Sequence, residues 1–250
     1  MKPTFLCIGV MKAGTTSLIP YLNQHPDIHI NNKEIHFFDK KYDKGINFYE
    51  NHFKTNKKII GEKTPVYCVN KKYIDRIYKH YPNIKLIIIL REPIQRAFSH
   101  WNHITNNHKK KIRDLLKQKS FIKCIKDDLL KDELDNNEFT NILKRGYYDK
   151  QIQYILTKFP RKNVYIGIAE EIRNNKKIEY EKIYNFLGAS KNKVKFNRNL
   201  DRHKRTYKSK LTIKDIKLLY NIYKININNT YSIIGRKVNN WEKFYNFYCK

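Results

Sequence analysis

Residues 4–16 read TFLCIGVMKAGTT, and their reading decides the fold. Residues 4–10 form a short, mostly apolar run between Pro3 and a glycine-containing turn, the pattern of a buried parallel strand. A loop with Lys12, Ala13 and Gly14 follows. Thr15, Thr16 and Ser17 then open the amphipathic stretch 18–22. The loop therefore feeds a helix N-terminus, whose free N–H groups and positive dipole end suit a phosphate. Strand, basic glycine loop and helix predict a nucleotide-phosphate cradle.

The cradle departs from the NTP-binding pattern. Residues 9–16 match G-x-x-x-x-G-K-[ST] at both glycines and at the final threonine, but Thr15 stands where the lysine belongs. The only lysine is Lys12, inside the loop, away from the position that reaches β- and γ-phosphates. A ligand whose 5′ group is smaller and less charged than a triphosphate fits better.

Working outward, 250 residues suffice for one domain with a sizeable core, and a single domain over 1–250 is the simpler expectation. Lys plus Arg number 52 against 23 Asp plus Glu, a net charge of +29. Such a field steers anions in, without saying which anion, and many of these lysines read equally well as a solvated face. Cys7, Cys68, Cys124 and Cys249 lie far apart with no C-x-x-C spacing, so neither a zinc site nor a disulfide framework is expected. No stretch reaches about 18 apolar residues, and Met1 closely precedes the first strand; a soluble, cytoplasmic protein with no membrane anchor is the expectation.

Downstream, the first helix should end near Pro26, and KEIHFFD, residues 33–39, reads as an extended segment. That placement sets Glu34 and His36 on one side and Ile35 on the other. Desolvation beside the apolar residues would raise the pKa of Glu34 and make it a candidate general base. Spacing alone favours the plainer reading, a surface carboxylate beside a buried aromatic pair. A short helix is expected over 45–53, and a strand over 58–61 that ends in Glu62-Lys63-Thr64-Pro65. Polar residues at a strand's carboxyl end are where ligands bind in an open α/β sheet. Residues 71–80 read as a crossover helix with Ile74, Ile77 and Tyr78 on one face, and 84–90, IKLIIIL, as a central parallel strand. Pro93 suits the first turn of the next helix. Arg91 can fork onto a phosphate and Ser99 can add a hydrogen bond; the alternative is a surface pair of Arg91 with Glu92.

KAGTTSL after a strand, KEIHFFD, EKTP and LREPIQRAFSHW, in this order and at these spacings, resemble the sulfotransferase family, most closely its heparan sulfate branch and bacterial relatives. RGYYDKQIQYILTKFPRKNVYIGIAEEI, residues 145–172, and Gly235, Arg236 and Trp241 extend the likeness over nearly the whole chain. The resemblance implies 3′-phosphoadenosine 5′-phosphosulfate as donor. It places Lys12, Ala13, Gly14, Thr15, Thr16 and Ser17 around the 5′-phosphosulfate, Arg91 and Ser99 on the 3′-phosphate, Glu34 as base on an acceptor hydroxyl, and Lys63 facing the reacting centre. It thereby reverses the preference at Glu34. The branch usually carries a cysteine pair in its late loop, and residues 196–207 hold none. Arg198, Arg202, His203, Lys204, Arg205 and Lys208 align only loosely there, with Arg205 and Tyr207 the preferred donor contacts.

Residues 106–138 suit one or two amphipathic helices, 163–168 a strand, 176–187 a helix stopped by Gly188, and 211–225 a long C-terminal helix. The expected fold is α/β, a P-loop-like three-layer α/β/α sandwich around a central parallel sheet. A sulfuryl group carries less charge than a phosphoryl group, so lysines and helix N–H groups suffice for transfer and no metal is expected. The acceptor implied is a hydroxyl on a carbohydrate, anionic ones included, and nothing in the sequence sets an oligomeric state. Alternatives are a P-loop kinase-like phosphotransferase or a phenol, small-molecule or protein-tyrosine sulfotransferase. A nucleic-acid or polyanion binder would explain the charge but would not need Lys12, Glu34 and Arg91 together.

Overall fold

The computed structural model describes residues 1–106, 120–131, 141–190, 194, 196–197, 199–200 and 209–249. Arg205, Tyr207, the other basic residues singled out between 198 and 208, and much of the 106–138 segment lie outside these. In chain order the elements are β1 (Phe5–Gly9), α1 (Thr15–Asn23), β2 (Ile28–Ile30), α2 (Phe37–Lys40), α3 (Ile46–Glu50), β3 (Ile59–Lys63), α4 (Lys71–His80), β4 (Lys85–Leu90), α5 (Pro93–Thr105), α6 (Phe121–Leu129), α7 (Tyr148–Lys158), β5 (Val164–Ile168), α8 (Ala169–Asn174), α9 (Lys176–Leu187), α10 (Ile213–Ile234) and α11 (Asn239–Tyr248). Two compact units divide them, Met1–Leu90 with Tyr154–Lys204, and Arg91–Gln153 with Arg205–Lys250.

The first unit holds a five-stranded sheet in the order β2-β3-β1-β4-β5, every pairing parallel, with helices flanking it as an α/β sandwich. Central strands covered on both faces must be apolar throughout, and β1 is buried at every residue. Strand β1 runs beside β3 with Phe5 opposite Gly61. A Cβ at Gly61 would lie 2.5 Å from the Phe5 ring, so only glycine lets the ring lie across that strand. Local signals set the helix ends. Asn70 accepts Lys72 N to start α4, and Gly188, at φ 82°, stops α9 in the left-handed region.

In the second unit, buried carboxylates tie remote segments together. Asp128 on α6 accepts from the N–H groups of Asn141 and Leu143, and Asp149 on α7 accepts from the amides of Asn226 and Asn229 on α10. The Tyr223 hydroxyl adds a bond to Leu143 O at 2.7 Å.

Four local expectations need correction. Residues 33–39 are not one extended run: His36 adopts φ 56° and α2 begins at Phe37. Tyr78 is exposed, whereas Ile74 and Ile77 are buried. Helix α10 runs on to Ile234, where Gly235 stops it at φ 74°, and the separate helix α11 follows. Glu92 is not at the surface; it is 1 % exposed and caps α5, accepting from the N–H groups of Ile94 and Gln95. Among the described residues no helix is long and apolar enough to cross a membrane.

Candidate active site

Three neighbouring strands of the first unit end on the same edge of the sheet, because they are parallel. The loop after β1 carries Lys12, the segment after β2 carries Glu34, and β3 ends in Lys63. In open α/β sheets this carboxyl edge, where the chain leaves a central strand toward both sides, is where ligands bind. Lys12 (φ 76°) and Gly14 (φ 84°) both take left-handed backbone, and a Cβ at Gly14 would meet nothing within 4 Å. Gly14 is also the N-cap of α1 and has no side chain to cap it. No N-cap side chain therefore accepts from the first turn of α1, which fits a bound phosphate or sulfate oxygen there.

Lys63 is 3 % exposed, and its ammonium joins two parts of the site. It donates to Glu34 Oε1 and, at 3.4 Å, to Thr16 Oγ1 in the first turn of α1. The other oxygen of Glu34 lies 3.2 Å from His36 Nε2, and His36 Nδ1 lies 2.8 Å from Asp39 Oδ2. Lysine, glutamate, histidine and aspartate therefore alternate in charge along one line.

That line settles two protonation states. Burial works against the charge of Glu34, but the hydrogen bond from His36 and the charge and hydrogen bond of Lys63 outweigh it and hold its carboxyl below the usual range. The expectation of a raised pKa fails because it counted the apolar neighbours and not the two cations. His36 moves the other way: hydrogen bonding to Asp39, then to Glu34, pushes its pKa up to about 9. At neutral pH it is an imidazolium and cannot accept a proton.

A second carboxylate fixes the first. Glu62 is fully buried and accepts from Ile35 N at 3.3 Å, Thr64 Oγ1 at 2.7 Å, Tyr49 OH at 3.1 Å and Tyr67 OH at 3.0 Å. Burial raises its pKa, although these donors pull the other way. The Tyr67 hydroxyl also accepts from Phe37 N at 2.9 Å and Phe38 N at 3.4 Å, and Lys41 Nζ donates to Ile35 O at 2.9 Å. The backbone between Glu34 and His36 is thereby moored to β3, and that after His36 is tied to it through Tyr67.

Sequence reasoning brought out Lys12, Glu34, Lys63 and Thr16, and the last three meet. It missed Asp39 and Tyr67, and named Glu62 only as one of the polar residues at the end of a strand. The i, i+3 spacing of His36 and Asp39 would have found the first had a helix been read at 37–40; Tyr67 reaches Glu62 through tertiary contact alone. Arg91 and Ser99 belong to the second unit, Arg91 part-exposed and Ser99 buried.

The raised pKa of His36 predicts a pH-dependent stability. Its folded pKa of about 9 exceeds the 6.5 of the free group, so its contribution is complete below pH 6.5 and is lost as pH rises through 9. In urea denaturation, His36→Gln should cost most near pH 6, and the gap to the parent protein should close by about pH 10. A gap that widens with pH would contradict the assignment.

A model of the sulfotransferase domain matches residues 2–243. The chain is 42 % identical over 106 residues to a membrane-associated sulfotransferase, kil1, of Dictyostelium discoideum, covering 40 % of this chain and 22 % of that protein. It is 31 % identical over 189 residues to heparan sulfate glucosamine 3-O-sulfotransferase 5 of Mus musculus, covering 74 % of this chain and 53 % of that one. The chain thus spans about half the length of the latter and less of the former. The crystal structure of a sulfotransferase from Alicyclobacillus acidocaldarius superposes with a TM-score of 0.77 at 24 % identity, over 97 % of this chain and 99 % of that one, which confirms the α/β fold. A domain match over nearly the full length, a shared fold and the four ordered motifs leave one assignment: the chain belongs to the sulfotransferase family.

Proposed function

We propose that this protein transfers a sulfuryl group from 3′-phosphoadenosine 5′-phosphosulfate to a carbohydrate hydroxyl, acting as a single sulfotransferase domain over 1–250. One observation carries this reading: the Lys63 ammonium touches both the carboxylate of Glu34 and the hydroxyl of Thr16, joining a base to the first turn of the glycine-loop helix. The donor, when bound, supplies an activated sulfuryl group and a stable leaving phosphate.

The protein's part is positioning and charge. Residues 12–17 receive the 5′ end, with Lys12 and the first-turn N–H groups of α1 stabilising the charge that builds on the leaving phosphate. Glu34, ionised at neutral pH, takes the proton of the acceptor hydroxyl, and Lys63 stabilises charge on the transferring group. His36 keeps the carboxylate aimed and ionised. Arg91 and Ser99 hold the 3′-phosphate, Arg91 having the more surface to offer, and Arg205 and Tyr207 remain part of the donor proposal.

The kinase-like reading is weaker for a specific reason. It needs an acidic residue free for magnesium near the end of a second strand, and both oxygens of Glu62 are already taken by four protein donors. Glycan acceptors, anionic ones included, are supported by the +29 charge and by the names of the heparan sulfate relatives. Acceptor affinity should then fall as ionic strength rises.

Calorimetry with 3′-phosphoadenosine 5′-phosphate and with ATP, both without magnesium, tests the donor. The adenosine bisphosphate should bind at least about 10-fold more tightly, since ATP lacks the 3′-phosphate and a charged fork to phosphate is worth more than 1.4 kcal/mol. The reverse order would sink the proposal.

A further inference from the structure

In the second unit the turn between β4 and α5 is held from two sides. The Arg91 carbonyl accepts the Tyr148 hydroxyl at 2.7 Å, from α7. One residue on, Glu92 Oε1 accepts Tyr245 OH at 2.8 Å, from α11, together with Ile94 N at 2.9 Å, while its Oε2 takes Gln95 N at 2.7 Å. Glu92 is 1 % exposed, so each of these donors offsets the cost of burying its carboxyl oxygens. Pro93 follows, with its φ fixed by the ring.

The two tyrosines are themselves immobilised. Tyr148 is 1 % exposed and packs 6.2 Å from the ring of Trp241, which is fully buried; Tyr245 is 4 % exposed and lies 4.7 Å from the ring of Tyr220. They stand 57 and 153 residues away in sequence from the residues they bind, so the bonds cross-link distant parts of the unit to a two-residue turn. An arginine side chain has four rotatable bonds, and the backbone beneath it is what the fold can fix. A guanidinium that grips a phosphate with two N–H groups needs that anchor, because a shift of about 1 Å can cost 100-fold.

We infer that Tyr148 and Tyr245 are positioning residues for the donor's 3′-phosphate, Tyr148 through the backbone of Arg91 and Tyr245 through the Glu92 cap of α5. The inference rests on the proposed role of Arg91. Neither tyrosine touches the phosphate; each sets where Arg91 starts from. The C-terminal helix α11 is thereby part of donor recognition and not only of the fold.

The test uses Tyr148→Phe and Tyr245→Phe, which keep the rings and remove only the hydroxyls. Calorimetry with 3′-phosphoadenosine 5′-phosphate and with adenosine 5′-phosphosulfate, which lacks the 3′-phosphate, separates positioning from general stability. Each variant should bind the first ligand about 10-fold more weakly and the second within about 2-fold of the parent. Adding Tyr148→Phe to Arg91→Ala should cost nothing further, since the two act as one unit. Equal weakening of both ligands, or a lower melting temperature with both affinities intact, overturns the inference while a selective Arg91→Ala leaves the donor assignment standing. An Arg91→Ala variant that loses both ligands alike overturns the donor assignment first, and the inference with it. Should one tyrosine variant fail to fold, the other carries the same comparison.

Discussion

Glu34→Gln is expected to lower the rate of sulfuryl transfer by about 100-fold or more at saturating donor, with donor affinity unchanged. The amide keeps the shape of the carboxylate but cannot take the acceptor's proton. The same change removes the charge that Lys63 and His36 both face, leaving two cations without their shared partner. His36→Ala should lose less turnover, because an imidazolium with a pKa pushed up to about 9 is already protonated and orients the carboxylate without being the base. The rate of transfer in both variants, with donor affinity measured separately, decides the matter. Near-native turnover in Glu34→Gln beside a dead His36→Ala that still binds donor would make His36 the base.

Arg91→Ala should weaken 3′-phosphoadenosine 5′-phosphate by roughly 2 to 5 kcal/mol and adenosine 5′-phosphosulfate far less, since a charge-assisted fork to the extra phosphate is lost. Calorimetry on both ligands checks this. Equal weakening would remove Arg91 from the 3′-phosphate and leave its place at the start of α5 a structural one.

Much of the site was legible in the chain because its parts are local signals. The sequence from Gly9 to Thr16 announces a loop entering a helix N-terminus, and the missing lysine at Thr15 sets it apart from the NTP-binding pattern. Lys63 was legible as the end of a strand, and Glu34 as a candidate base that only the resemblance made the preferred reading. Its protonation was not legible at all. Apolar neighbours within four residues argued for a raised pKa, whereas the decisive partners are Lys63, 29 residues away, and His36, where the backbone enters the left-handed region. The helix α11 escaped notice for a related reason: its residues Asn239, Asn240 and Asn246 are poor helix formers, and burial of Trp241 and Tyr245 stabilises it instead.

By itself the sequence determined the strand, glycine loop and helix, the buried strand β4, the proline start of α5 and the glycine stop of α9. These depend on backbone freedom, side-chain period and short-range hydrogen bonding, which act over a few residues. The tertiary structure alone decided the strand order, the meeting of Lys63 with Glu34 and Thr16, the four donors that hold Glu62, and the two tyrosines on the Arg91–Glu92 turn. Each of those joins groups far apart in the chain, and the charge state or placement of a side chain depends on every group that folding brings within a few ångströms of it.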